Sequence, residues 1–232
     1  MIFVLSTDVD FVSDAVLEAA YQPLQEIPMT VFMTGKSDYL LKAFRNNPFW
    51  EAEVHPNFCY GSTQGDTIEE IFKTLELFSG EKLGFRCHKY YCSNDIEEKF
   101  EQLGYLYASN ICTDLEEIKP FMDRCGILQI PIFMEDGGYL KYHGVPRMND
   151  ILPKMQPEGI YVFNFHPIHL ALNSNDFSTI RALKDSMTSS EYGTMTVTDI
   201  SVYRNKGYGI ADFLNELIVY AHKNNIQFIL IC

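Results

Sequence analysis

The stretch Ile2-Phe3-Val4-Leu5-Ser6-Thr7-Asp8-Val9-Asp10 decides the architecture: a compact apolar run ends in a polar cluster, with no polar alternation inside it. That is the pattern of a strand buried on both faces whose C-terminal end delivers side chains to a surface. A helix over residues 14–25 should follow, because Ser13 can cap it, Val16, Leu17, Ala20 and Leu24 recur at helical spacing, and Ile27-Pro28 breaks it. Working outward, 29–34 reads as a strand, 37–45 as a helix and 51–55 as a strand. The rhythm continues with a helix over 67–78, a strand over 83–86, a helix over 94–103 and a strand over 105–109. Buried strands are expected at 128–133 and 161–165, an amphipathic helix at 209–222 and a last strand at 227–231. This alternation predicts an α/β fold with a parallel sheet and helices outside, either doubly wound or closed into a barrel.

Composition agrees with one folded unit. The chain has 232 residues, 47% of them hydrophobic and 14% aromatic, enough for a core without disulfide support. No repeat and no Pro-, Gly- or Ser-rich linker divides it, so a single domain over 1–232 is expected. The glycines at Gly61, Gly137-Gly138 and Gly207 to Gly209 read as loops at one rim, and 174–208 as a long irregular stretch. With 18 basic and 31 acidic side chains the net charge is −13, and no run of lysines or arginines offers a surface to nucleic acid or anionic lipid. No leader-like segment opens the sequence and no apolar run approaches the roughly 20 residues of a membrane span, so a cytoplasmic protein without membrane insertion is expected. The six cysteines form no C-x-x-C pair, which argues for reduced thiols rather than a zinc ribbon.

In either α/β solution, chemistry collects beyond the C-terminal strand ends. Those positions hold Asp8 and Asp10 after the first strand, His55 after the third, Arg86 and His88 after the fourth, Asp136 after 128–133, and His166 with His169 after 161–165. Four of the six histidines thus converge with three carboxylates on one face. Aspartate and histidine brought together are the usual ligands of a catalytic divalent ion, where three protein groups bind and one position stays open to water.

The order of these residues carries a resemblance. Thr7-Asp8-Val9-Asp10 is followed by Ile27-Pro28-Met29-Thr30-Val31-Phe32-Met33-Thr34-Gly35 and then by Glu53-Val54-His55-Pro56-Asn57-Phe58. Further on come Gly84-Phe85-Arg86-Cys87-His88, Ile130-Pro131-Ile132-Phe133-Met134-Glu135-Asp136 and Phe163-Asn164-Phe165-His166-Pro167-Ile168-His169. This series resembles the polysaccharide deacetylase (NodB-homology carbohydrate esterase) family, and most closely its WbmS-like branch, associated with O-antigen and other surface polysaccharides. The resemblance implies a distorted (β/α)7 barrel and metal-dependent N-deacetylation of an N-acetylated sugar or polysaccharide precursor. It further implies a divalent metal ion, zinc foremost, at the mouth. By the same resemblance Asp8 is the general base, Asp10 and His55 are metal ligands, Arg86 orients the base, and Asp136 tunes His166 as the general acid. Asn57 and Tyr90 are the expected sugar contacts, and Tyr60, Tyr91 and Tyr139 lie close to the motifs. The family's second metal histidine is absent: four residues after His55 stands Cys59, and in Gly61-Ser62-Thr63-Gln64-Gly65 the branch's histidine is replaced by Gln64. Gln64, Cys59 and His88 therefore remain open as third ligand. The alternative is an inactive, sugar-binding relative with an incomplete metal site.

Overall fold

The computed structural model describes residues 1–76 and 83–231. The opening apolar run forms β1 (Ile2–Asp8), buried from Phe3 onward. Ser13 caps α1 (Asp14–Tyr21) by accepting from the Val16 N–H, and a 3-10 turn over Gln22–Leu24, with its proline, ends the helix. Next come β2 (Met29–Met33), α2 (Asp38–Asn46) capped by Ser37, and β3 (Trp50–Val54). A Thr67/Glu70 capping box starts α3 (Ile68–Leu75); the end of that helix expected at 77–78 lies outside the described residues. Then follow β4 (Gly84–Phe85), α4 (Asn94–Gln102), β5 (Tyr107–Ala108), β6 (Phe121–Met122), β7 (Leu128–Gln129) and β8 (Met134–Glu135). The remaining elements are α5 (Asp136–Tyr142), α6 (Met148–Ile151), β9 (Ile160–Phe165), α7 (Pro167–Ala171), α8 (Phe177–Asp185), α9 (Ser189–Gly193), α10 (Val197–Tyr203), α11 (Ile210–Lys223) and β10 (Gln227–Ile229).

The strands follow the order β6-β7-β5-β4-β3-β2-β1-β9-β8. β6 is antiparallel to β7, and the other pairings among the described residues are parallel. β7, next to the β6 end of this order, and β8, at its other end, belong to one stretch of chain, so the sheet curls into an open barrel. Ile130 N–H donates to Ala108 O at 2.8 Å and Ile132 N–H to Ile111 O at 2.7 Å on one side, whereas Phe133 N–H donates to Val162 O at 2.9 Å on the other. The strand expected over 128–133 is thus two short strands: Pro131 has no N–H to give, and the chain changes neighbours between Ile132 and Phe133.

Two further expectations are corrected. Gly137-Gly138 is not a loop but the first turn of α5, whose N-cap Glu135 accepts from both glycine N–H groups at 2.8 and 2.7 Å. A Cβ on either glycine would meet that carboxylate within 2.7 Å, so only glycine allows it to close onto the helix end. The stretch 174–208 is not irregular either: it holds α8, α9 and α10, each started by a capping side chain, Asp176, Thr188 and Thr196. The same polar residues that suggest a loop are the helix caps.

Alternation along β1 separates two environments. Phe3 and Leu5 pack outward with Val16, Leu17, Phe213 and Leu217, while Val4 faces inward with Phe32, Tyr107, Ile130, Ile132 and Val162. This inner apolar layer plugs the barrel beneath a polar one. Among the described residues no helix is long and apolar enough to cross a membrane.

The lower barrel also buries Glu53, which accepts from the Gly84 N–H at 2.8 Å. Burial pushes its carboxyl up to about 8, against the opposing hydrogen bond from Gly84. Between the ordinary glutamate pKa and that value the folded protein keeps a proton that the unfolded chain has released, so rising pH removes stability. Thermal melts from pH 5 to pH 8.5 should show Tm falling more steeply for the native chain than for Glu53→Gln; parallel profiles would contradict this.

Candidate active site at the barrel mouth

Above the apolar plug the barrel interior is polar and dry. Arg86, at the end of β4, is fully buried, as are Ser6, Ser109 and Asn164. Its Nη1 donates to Asp8 Oδ1 at 2.9 Å, Asn164 Oδ1 at 2.5 Å and Ser6 Oγ at 3.0 Å. Nε donates to the Ser109 carbonyl at 2.9 Å and Nη2 to Ser109 Oγ at 2.7 Å, while the guanidinium lies 4.1 Å from the Phe32 ring centroid. Asn164 Nδ2 completes the hold by donating to Asp8 Oδ2 at 2.9 Å. Burial alone would raise the Asp8 pKa, but Arg86, helped by His55 and His166, holds it below the usual carboxylate range.

One turn further, Asp10 and Phe11 both adopt left-handed backbone, φ +51° and +61°. Aspartate visits this region readily, whereas phenylalanine does so at a cost on the order of 1 kcal/mol. The turn carries the Asp10 carboxylate over the mouth, where Oδ1 lies 2.8 Å from His88 Nδ1 and 3.3 Å from His55 Nε2. A second left-handed pair, Lys89 and Tyr90, follows His88 in the 3-10 turn that brings its ring inward. The three donor atoms all lie within 4.8 Å of one another. Two imidazole nitrogens and one carboxylate oxygen are the donor set of a three-ligand site with an open position, so these residues fit a divalent ion. Burial opposes ionisation of Asp10, yet hydrogen bonds to His55 and His88 hold its carboxyl well below the usual range.

The far wall comes from β9 and α5. Asp136 Oδ1 accepts from His166 Nδ1 at 2.6 Å and its Oδ2 from the His166 backbone N–H at 2.8 Å. With Nδ1 so engaged, His166 Nε2 faces the cleft, 3.6 Å from Asp10 Oδ2 and 4.0 Å from Asp8 Oδ2. Burial disfavours the charged ring, but Asp136 outweighs it and His166 rises to about 10. His169 behaves oppositely: burial pushes it down to about 4, and its Nδ1 has no hydrogen-bond partner among the described residues. A cleft of about 780 Å³ opens over Asp8, Asp10, His55, His88 and His166.

Of the three open third-ligand positions, only His88 faces Asp10. Gln64 is buried with its amide spent on backbone: Oε1 accepts from Asn57 N–H at 2.6 Å, and Nε2 donates to Thr34 O at 2.6 Å and His55 O at 3.2 Å. Cys59 lies outside the Asp10, His55 and His88 group, and its N–H donates to Asn57 Oδ1 at 3.0 Å. Asn57 and Tyr90 line the cleft. Tyr60 and Tyr91 are exposed away from it, and Tyr139 packs in the core. Residues missed in the sequence are Ser6, Ser109, Asn164 and Glu135. Ser6 and Asn164 carried a usable signal, polar side chains inside otherwise apolar buried strands.

A family model for WbmS-like polysaccharide deacetylases matches residues 5–184. In structure the chain is similar to a Bordetella bronchiseptica protein named for polysaccharide deacetylation in O-antigen biosynthesis. The two share 25% identity over 94% of this chain and 90% of that one, with a TM-score of 0.79. A Mycobacterium smegmatis structure named for the same deacetylase activity aligns at 13% identity over 99% of this chain and 93% of that one, with a TM-score of 0.46, too distant to argue from. No curated protein matches the sequence.

Gln64→Ala removes three buried backbone contacts that fix 55–57 against Thr34. The loss should be about 2–3 kcal/mol, read as a fall in Tm of about 5–10 °C; an unchanged Tm would show that the amide clamp carries no stability.

Proposed function

The chain belongs to the WbmS-like polysaccharide deacetylases, and we propose that, as one domain over 1–232, it hydrolyses the acetamido group of an N-acetylated sugar or surface-polysaccharide precursor with a divalent ion, zinc foremost. The observation that carries this reading is the convergence of one held carboxylate, Asp8, and one held imidazole, His166, beside the Asp10, His55 and His88 triad, with His166 Nε2 3.6 Å from Asp10 Oδ2 and 4.0 Å from Asp8 Oδ2. The family and the fold support deacetylation, and the chemistry of the triad supports metal dependence.

A divalent ion held by Asp10, His55 and His88 would act as a Lewis acid, polarising the amide carbonyl and lowering the pKa of water. The rest falls to side chains. Asp8 stays ionised under Arg86 and takes the proton from the attacking water. His166, charged at neutral pH, gives its Nε2 proton to the departing sugar nitrogen, since Asp136 occupies Nδ1. Acetate and a free amino sugar leave, and one water has been consumed. Asn57 and Tyr90, which line the cleft, would touch the sugar.

The reading of an inactive sugar-binding protein rested on Gln64 standing where a ligand was expected. Against it weigh the His88 ring beside Asp10, which would offer a third donor, and the Gln64 amide bonded to backbone.

Acetate release from N-acetylated hexosamine derivatives tests the proposal. Asp8→Asn and His166→Ala should each lower kcat by about 10²–10⁴-fold with the fold intact by circular dichroism, and chelation should abolish turnover until zinc is returned. Equal turnover in both variants would sink the assignment; sugar binding without any acetate release would favour the inactive relative.

A further inference from the structure

The floor and the rim of the cleft differ in charge. Its lining acids, Asp8, Asp10 and Glu135, lie at the floor, and each is committed: Asp8 to Arg86 and Asn164, Asp10 to His88 and His55, Glu135 to the start of α5. Around them stand Lys89 from the turn after β4, Lys141 from α5, and Arg181 and Lys184 from α8. In a chain of net charge −13 this is a local reversal of sign. Arg181 Nε pairs with Asp185 at 3.1 Å, while the Lys141 and Lys184 ammonium groups lie 4.8 and 5.1 Å from the ring centroids of Tyr142 and Tyr192. Tyr192 lines the same cleft, and its hydroxyl is buried without a hydrogen-bond partner among the described residues.

Resting on the deacetylase reading above, we infer that the sugar enters this cleft carrying a diphosphate on its anomeric carbon, which Lys89, Lys141, Arg181 and Lys184 receive. An acetamido group on C2 and a diphosphate on C1 sit on adjacent carbons, so an anion there must share the cleft with the acid and base, and these cations do. Point charges from three separate elements suit the several oxygens of a diphosphate; a lone carboxylate is matched by one bidentate arginine, and Arg181 is already shared with Asp185. The aromatic side chains of the lining, Phe11, Tyr90, Tyr142, Phe177 and Tyr192, give the sugar ring apolar faces, and the cations beside them give its charged end a place. Tyr192 then offers its free hydroxyl to the same ligand.

Calorimetric titration of the zinc-loaded full chain tests this, with three probes: uridine diphosphate N-acetylhexosamine, the same sugar diphosphate on a short prenyl chain, and its neutral methyl glycoside. At low salt at least one diphosphate should bind about tenfold or more tightly than the glycoside, with the preference shrinking as salt rises; the tighter of the two names the carrier. In the double variants Arg181→Ala/Lys184→Ala and Lys89→Ala/Lys141→Ala the ratio should fall toward one. Equal affinity for all three probes, or a preference that survives both double variants, would overturn the inference. Acetate release as efficient from the glycoside as from the diphosphates would also overturn it while deacetylation stands. A charge-dependent preference without acetate from any probe would overturn deacetylation and leave this site standing.

Discussion

Everything at the mouth of this barrel hangs on a guanidinium enclosed in its interior. Arg86 reaches across from β4 to bind residues of β1, β9 and the end of β5, and it is as dry as the apolar layer beneath it. A buried charge is costly unless every donor is used and a counter-charge is close. Here Asp8 supplies the counter-charge, and Ser6, Ser109 and Asn164 take the remaining hydrogen bonds. Leaving either charge without the other would cost about 3–5 kcal/mol, which explains why the network spans strands that otherwise touch only through the sheet. Function follows from the same bonds, because the carboxylate they hold ionised is the group proposed to act as base.

From that fixed point the site is assembled by backbone rather than by long side chains. Two left-handed pairs, Asp10-Phe11 and Lys89-Tyr90, place Asp10 and His88 against each other at the ends of β1 and β4. The Gln64 clamp holds the chain just beyond His55, and the carboxylate of Glu135 holds the start of α5, from which Asp136 reaches His166. The pKa values of Asp8 and His166 are driven apart by Arg86 and Asp136, so that one is ionised and the other protonated in the same cleft. Such a division is what a paired acid and base working in one cleft require.

Much of this was legible in the chain, and the exceptions have physical causes. Apolar runs located most of the strands and period-3.6 patterns located α1, α2, α3, α4 and α11, since burial on the sheet and on helix faces leaves a direct mark. The strand over 128–133 was misread because an apolar run looks the same whether it keeps one neighbour or changes neighbours after Ile132. The helices of 174–208 were hidden because they are short and led by capping Asp and Thr residues. Asp8, Asp10, His55, Arg86 and His166 stood out by type and position, but among Gln64, Cys59 and His88 only His88 is brought against Asp10, by a backbone turn that spacing does not reveal. Nor did spacing show that cations of α5 and α8 would gather over an acidic floor.

The central claim is that Asp10, His55 and His88, with Gln64 excluded, form the metal centre beside Asp8 and His166. Crystals grown with zinc and measured on both sides of its absorption edge address that claim directly. The account predicts one anomalous peak within about 2.0–2.2 Å of Asp10 Oδ1, His55 Nε2 and His88 Nδ1, with the Gln64 amide still bound to backbone. A peak among Asp136, His166 and His169, a Gln64 side chain turned onto the ion, or no peak at all would contradict it.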